Sequence, residues 1–394
     1  MILVPSRLQL SNGNKILFGI VFSILISACS PKTATVKIPE KVGSVKAPPV
    51  SVKEVPAKKQ DNSIALILPF YLQTISIKSV SEKDITKANL ALDFYQGFKL
   101  ALDSLATEGY NFDLKVFDSQ DQKARILTLA KAKAVLATDL IIGPVFPDQI
   151  KAFSENADLN KKIQVSPLAA SQPNTFLNPH LATVNNTIDQ HARKVVDFIY
   201  SNYQPDEVNL VLINTQEADD SKFANPFKSY FKSIAPDKFK ITERPNSKGI
   251  ESALRPDRNN LVIIASDEVD FVVPTINRLY ALTKSQYKIE VFGHPNWLKV
   301  KNLDTDKLQW LNTHVTSSYF IDYNSNEVKQ FVARYVDDYA LQPSEFAFKG
   351  FDSGYYFGKL LARYGQDYTQ HVGDEIYKGL HNDLALSRMQ NRAL

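Results

Sequence analysis

Short apolar runs and amphipathic helical segments take turns along most of this chain, and that alternation constrains the fold more than any other feature. SIALILP (Ser63–Pro69) is almost continuously apolar, as a strand buried on both faces must be. After a polar loop, LALDFYQGFKLALDSL sets Leu90, Phe94, Phe98, Ala101 and Leu105 at three- and four-residue spacing. That is the pattern of an amphipathic helix, and Gly109 stands ready to end it. Strand Phe112–Ser119, helix Lys123–Leu136, strand Asp139–Val145, helix Asp148–Asn156 and strand Lys162–Leu168 continue the series. A second series follows HLATVNN (His180–Asn186). It comprises helix Asp189–Tyr203, strand Val208–Asn214, helix Ser221–Ile234, a strand near Phe239, helix Lys248–Leu254, strand Asn260–Ser266, helix Val269–Leu282 and strand Lys288–Gly293. HVTSSYFIDY (His314–Tyr323) then returns in extended form, ahead of helices Glu327–Tyr339 and Phe346–Tyr364 and a shorter one over Val372–Lys378. Strands joined through helices by short connections imply parallel sheets with right-handed crossovers. The expectation is an α/β protein of two similar lobes joined by a hinge.

The amino-terminal stretch is different in kind. Arg7 and Lys15 precede the apolar run Ile16–Ile26, which is far short of the roughly 20 residues that span a bilayer. This is the layout of a signal peptide. Ile26-Ser27-Ala28-Cys29 holds the only cysteine of the chain, so no internal disulfide is available to it. The four residues resemble the lipobox of bacterial lipoproteins, which implies cleavage after residue 28 and a lipid on Cys29. Pro31–Gln60 follows with five prolines, seven lysines and two glutamates and no aromatic residue. It cannot bury a core and reads as a tether. These lysines and the two cations of the leader exceed the net charge of +4 for the whole chain, so residues 61–394 are weakly acidic. The basic balance therefore gives no argument for nucleic acid.

The folded part resembles the type I periplasmic binding proteins, which include the leucine/isoleucine/valine-binding proteins of ABC transporters. The marks are IALILP, ALDSLATEG, LKVFDSQD (Leu114–Asp121), IIGPV (Ile141–Val145), SPLAAS (Ser166–Ser171) and GFDSGYYFGKLL (Gly350–Leu361). GPVFPDQI also resembles the penicillin-binding protein activator branch, outer-membrane lipoproteins that stimulate peptidoglycan synthases. The resemblance implies two Rossmann-like lobes with parallel sheets and a hinge. Residues 61–184 and 317–380 would form lobe 1 and residues 185–316 lobe 2, with a short tail over 381–394. It also implies a small-molecule ligand between the lobes, at the carboxyl ends of the strands. SPLAAS matches the loop that presents backbone groups and a hydroxyl to a ligand carboxylate, which nominates Ala169 and Ser171. Val145 and Phe146 come from the preceding loop, where a bulky ring and Pro147 replace the small hydroxylated residue usual in transport proteins. Gln216, Asp219, Ser266, Asp267 and Tyr319 are the candidates on the second lobe and the returning passage. Two functions stay open: a solute receptor working with an ABC permease, and a regulatory lipoprotein that contacts a peptidoglycan synthase. Either would sit in the cell envelope, with the outer membrane favoured because Ser30, and not Asp, follows Cys29.

Enzyme chemistry finds no footing in the sequence. None of the six histidines belongs to an HExxH motif or a close His/Cys/carboxylate set, which argues against a catalytic metal. No GxSxG and no P-loop occur, and two SxxK matches (Ser229–Lys232, Ser285–Lys288) lack companion motifs. No cofactor is implied. Asp219-Asp220 and Asp337-Asp338 read as solvated charge.

Overall fold

The structure, a computed structural model, describes residues 62–75, 79–176 and 178–387. The expected signal peptide, Cys29 and tether lie outside the described residues, as does the end of the tail.

The first sheet is built from β1 (Asn62–Leu68), β2 (Phe112–Asp118), β3 (Leu140–Ile142), β4 (Gln164–Ser166) and β5 (Leu181–Thr183). All pairings are parallel, in the order β2-β1-β3-β4-β5. Its helices are α1 (Glu82–Thr107), α2 (Lys123–Leu129), α3 (Lys133–Leu136) and α4 (Pro147–Ser154). The second sheet contains β6 (Val208–Ile213), β7 (Ile241–Arg244), β8 (Asn259–Ile264), β9 (Lys288–Gly293) and β10 (His314–Val315), with α5 (Ile188–Asn202), α6 (Ala218–Ile234), α7 (Val269–Thr283) and α8 (Thr305–Trp310). It is also parallel throughout, in the order β7-β6-β8-β9-β10. Counted from its own first strand, each sheet has the same order, so the two lobes repeat one topology. Two further helices, α9 (Asn326–Tyr339) and α10 (Glu345–Tyr364), complete the set.

The continuous apolar run in β1 follows from cover on both faces. Ile64, Leu66 and Leu68 enter a core with Phe94, Phe98, Tyr356 and Phe357 from α1 and α10, while Ala65 and Ile67 face Ile126, Leu129 and Phe153 from α2 and α4. β6 divides in the same way: Leu210 and Leu212 pack with α5 and α6, Val211 and Ile213 with α7. Side-chain alternation thus sorts each strand between two layers of helix. No helix among the described residues is long and apolar enough to cross a membrane.

α1 starts eight residues before the apolar periodicity does. Ser81 and Asp84 form a capping box, and the exposed first turns need no apolar stripe. The single helix expected over Lys123–Leu136 is two, because Ala132 is extended (ψ 123°) between them. The helix expected over Lys248–Leu254 is a 3-10 turn, Ile250–Ala253, behind left-handed Gly249. Val372–Lys378 is not a helix. A 3-10 turn (Gly365–Gln370) leads into a loop closed by one antiparallel bridge between Tyr377 and Leu384. That loop is organised from α10. Asp352 accepts the backbone N–H groups of Leu380 (2.8 Å), His381 (2.7 Å) and Asn382 (3.2 Å) and the Tyr377 hydroxyl (3.4 Å).

α1 and α10 approach so closely that glycine is required at the crossing. A Cβ on Gly97 would overlap the Ala347 carbonyl, and one on Gly350 the Phe94 carbonyl. Gly354 and Gly358, each one turn further along α10, bring Ala101 and Leu105 within about 3.0 Å of where a Cβ would stand.

Candidate functional site

In a parallel sheet the helix amino termini and the loops gather at the carboxyl edge, where open α/β sheets bind ligands. In the first lobe this edge is held together internally. The Asp118 carboxylate accepts from the backbone N–H of Phe70 (2.9 Å), Tyr71 (3.2 Å), Leu72 (2.8 Å) and Gln120 (2.8 Å). The acidic turn LKVFDSQD therefore fastens the loop after β1. Val145 is buried and Phe146 packs on the lobe core just before α4, so the GPVF loop offers mainly apolar surface.

The loop after β4 is better equipped. Ala169 is buried against Ile150 and Phe176, and Ser171 is partly buried. Asn185, just past β5, donates to the Leu168 carbonyl, and Lys349 on α10 donates to the Asn185 side-chain oxygen. An ammonium thus stands beside the loop nominated for a carboxylate. Burial pushes the Lys349 amine down to about 8. Gln172 donates to Asp189 at the start of α5, which ties this loop to the entry of the second lobe.

On the second lobe, Ser266 and Asp267 follow β8 and His294 follows β9. Ser266 is committed locally: its hydroxyl accepts from Glu268 N–H (3.3 Å) and its carbonyl from the Trp297 indole (2.9 Å). Asp267 accepts from Asn296 (2.6 Å) and lies 3.8 Å from the buried His294 ring. Burial holds His294 below the usual imidazole range, against the opposing pull of Asp267 and Asp220. Lys299, exposed at the end of the 3-10 turn Pro295–Lys299, projects from the same edge. Gln216 and Asp219 are exposed, and Asp219 pairs with Lys222 at 2.5 Å one turn along α6. Its neighbour Asp220 is buried and accepts from Thr215 (2.6 Å), so this aspartate pair is not simply solvated.

The hinge supplies the remaining groups. The chain passes between the sheets after β5 and again after β10, and His191 on α5 is hydrogen-bonded to Thr316 (2.8 Å) and Ser318 (2.9 Å) on the second passage. Tyr319 stacks on His381 with ring centroids 4.4 Å apart, and Phe320 N–H donates to the His381 carbonyl at 3.1 Å. Burial drives the Tyr319 hydroxyl pKa well above the usual range, and the Glu345 carboxylate at the start of α10 adds to the rise.

The structure therefore draws Ala169, Ser171 and Tyr319 toward one region with Asn185, Lys349 and His381, and places Ser266 and Asp267 on the corresponding edge of the second lobe. Gln216 and Asp219 are not seen to join a polar network there. Lys349 escaped the sequence reading, although a lysine inside the aromatic run FAFKGF of a buried helix was the available signal. A surface recess of about 400 Å³ lined by Asn62, Tyr110, Asn111, Arg363 and Tyr364 lies at the opposite, amino edge of the first sheet. It is remote from these groups, and the carboxyl edge is the better candidate on topology.

Buried neutral histidines make stability depend on pH. Burial lowers His191 to about 4 and His381 to about 3. Each is protonated more readily unfolded than folded, so stability is lost as pH falls below about 6.5, by roughly 2 kcal/mol for each at about pH 5. Asp352, raised to about 6 by burial, works in the opposite sense over part of that interval. Glu290, held down to about 2 by His314 and its other donors, contributes only at lower pH. Urea unfolding at pH 7 and 5 should show a net loss, and His191→Asn should remove the His191 share of the slope. An unchanged slope in that variant would contradict the assignment.

No family model matches the sequence, and no curated protein matches it. Solved structures do. An ABC-type branched-chain amino acid transporter protein from Rhodopseudomonas palustris CGA009 superposes with a TM-score of 0.59 at 13% identity, covering 82% of this chain and 87% of that one. An ABC transporter substrate-binding protein from Sphaerobacter thermophilus gives 0.53 at 15% identity, over 82% and 88%. One from Desulfitobacterium hafniense in complex with Leu gives 0.51 at 14%, over 82% and 92%. At such identities the shared property is architecture, and it agrees with the paired five-stranded parallel sheets: this chain carries the type I periplasmic binding protein fold.

Proposed function

We propose that this chain is a solute-binding protein of the bacterial envelope, anchored by lipid on Cys29 in the outer membrane and holding a small polar, amino-acid-like solute between its lobes for an ABC permease. One observation carries the reading: polar groups from both lobes and the hinge gather at the carboxyl edges of the sheets, with Lys349 and Asn185 beside the Ala169–Ser171 loop. Binding would close the lobes about the two passages between the sheets. The structures of similar fold described as substrate-binding proteins support the class. A second reading, a regulatory lipoprotein that touches a peptidoglycan synthase, draws support from Phe320 and Tyr323 on the second passage, which are 80% and 59% exposed.

Thermal-shift screening of the chain against amino acids, small carboxylic acids and peptidoglycan fragments tests the first reading, with at least one hit expected. No hit, together with crosslinking to a wall synthase in cells, would move the assignment to the second. For the anchor, Cys29→Ser should release the protein from the membrane fraction, and unchanged membrane association would refute lipidation.

A further inference from the structure

We propose that the solute held between the lobes is an anion whose acidic group is bound by Lys349 and Lys299, one lysine from each lobe, beside the Ala169–Ser171 loop. The inference rests on the solute-binding reading and specifies the chemical class of ligand.

Lys349 is partly buried and forms a single hydrogen bond among the described residues, to the neutral side chain of Asn185. An ammonium has three donors, and an unpaired charge away from water is costly. Of the nearby carboxylates, Glu345, one turn earlier on α10, lies close enough to raise the Tyr319 pKa, and Asp352 is occupied by the loop over 377–382. Both exert a field on Lys349, but neither forms an ion pair with it. Meanwhile Lys299, from the carboxyl edge of the second sheet, is near enough for its charge to oppose that of Lys349. Neither lysine forms an ion pair among the described residues, while the positive charge of Lys299 reaches Lys349.

His381 is the independent observation. Its ring is 2% exposed and its Nε2 has no partner among the described residues. Lys349 is close enough to disfavour its charged form, so it stays a neutral imidazole that can still donate one hydrogen bond. A carboxylate arriving between the lobes would supply the acceptors that Lys349 and His381 lack and relieve the repulsion between the lysines. A neutral aliphatic amino acid brings its own ammonium with its carboxylate and would leave the net charge of the two lysines unchanged. The fitting ligands are therefore small acids of net negative charge, such as dicarboxylates and acidic amino acids.

The test is calorimetry with the full chain and succinate, glutamate, leucine, lysine and inorganic phosphate as probes. Succinate or glutamate is expected to bind, with leucine and lysine at least tenfold weaker. Uptake of protons near pH 8 should accompany binding as Lys349 becomes fully charged. Lys349→Met and Lys299→Met should each weaken binding tenfold or more. Lys299 is exposed, so its variant reports on binding even where the Lys349 change alters folding. Leucine binding without succinate, glutamate or phosphate binding would overturn the anion proposal and leave the solute-binding reading standing. Binding of phosphate alone would overturn the carboxylate assignment, and affinity unchanged in Lys299→Met would overturn the shared site. Failure of every small molecule would overturn both readings together.

Discussion

Gly97→Ala is expected to destabilise the protein, although in an exposed helix the same change stabilises by roughly 0.5–1 kcal/mol. The added methyl would occupy the space of the Ala347 carbonyl on α10, and that oxygen belongs to a helix backbone that cannot rotate away. Separating α1 from α10 would loosen the packing of Phe94, Phe98, Tyr356 and Phe357. Overpacking of this kind costs about 1–3 kcal/mol, and Gly97→Val should cost more, about 3–5 kcal/mol. Chemical denaturation of both variants checks the order. Gly109→Ala serves as a control, because a Cβ there meets nothing within 4 Å and only its φ of +97° is strained. If Gly97→Ala were neutral or stabilising, the close contact between these helices would be wrong.

The other large effect concerns Asp352. In Asp352→Ala, three backbone N–H groups and a tyrosine hydroxyl lose their acceptor at once. Unmatched buried donors and hydrogen bonds to a charged acceptor each weigh about 1–3 kcal/mol, so a total loss of about 3–5 kcal/mol is expected, less whatever water recovers. The damage should be local as well as global. Protease cleavage between Tyr377 and Leu384 should appear before the rest of the chain opens, because the loop retains one backbone bridge and the exposed Lys378–Asp383 ion pair. Asp352→Asn keeps one acceptor oxygen and should recover part of the stability. Equal midpoints for wild type and Asp352→Ala would refute this role.

How far the fold was legible follows from where periodicity is strong. β1, β6 and β8 are mostly apolar because helices cover both their faces, and their bounds and those of β9 fall within a residue or two of the pattern. α1 was legible only from Leu90 because a capping box, not an apolar stripe, starts it. The break before α3 depends on one ψ angle at Ala132, which no glycine or proline announces. Val372–Lys378 misled because its apolar residues pack around α10 and a side-chain carboxylate instead of forming a helical stripe. Gly350, Gly354 and Gly358, spaced by four, announce a close helix contact once α10 is recognised.

For the candidate site, order along the chain nominated loops but could not tell which side chains were free. Ser266 lies just past the end of β8, yet its hydroxyl is used by Glu268 in its own turn and its carbonyl by the Trp297 indole. Asp219 looked available and is paired on its own helix. Lys349 and Asn185 are separated by 164 positions, and nothing local in the sequence links them. Such long-range pairings are fixed by topology, which the motifs imply only in outline.

The packing of α10 on α1 also sets an order of events during synthesis. Residues 188–315 carry the whole second sheet without interruption, so that lobe can fold as soon as β10 is made. The first lobe cannot, because Tyr356, Phe357 and Leu361 close its core from the far end of the chain. At a translation rate of about 5–20 residues per second, β1 to β5 wait on the order of ten seconds or more with one apolar face open. A nascent chain halted near residue 340 should therefore show β6–β10 protected from protease while β1–β5 are still cut. The earlier half of the molecule is the later to mature.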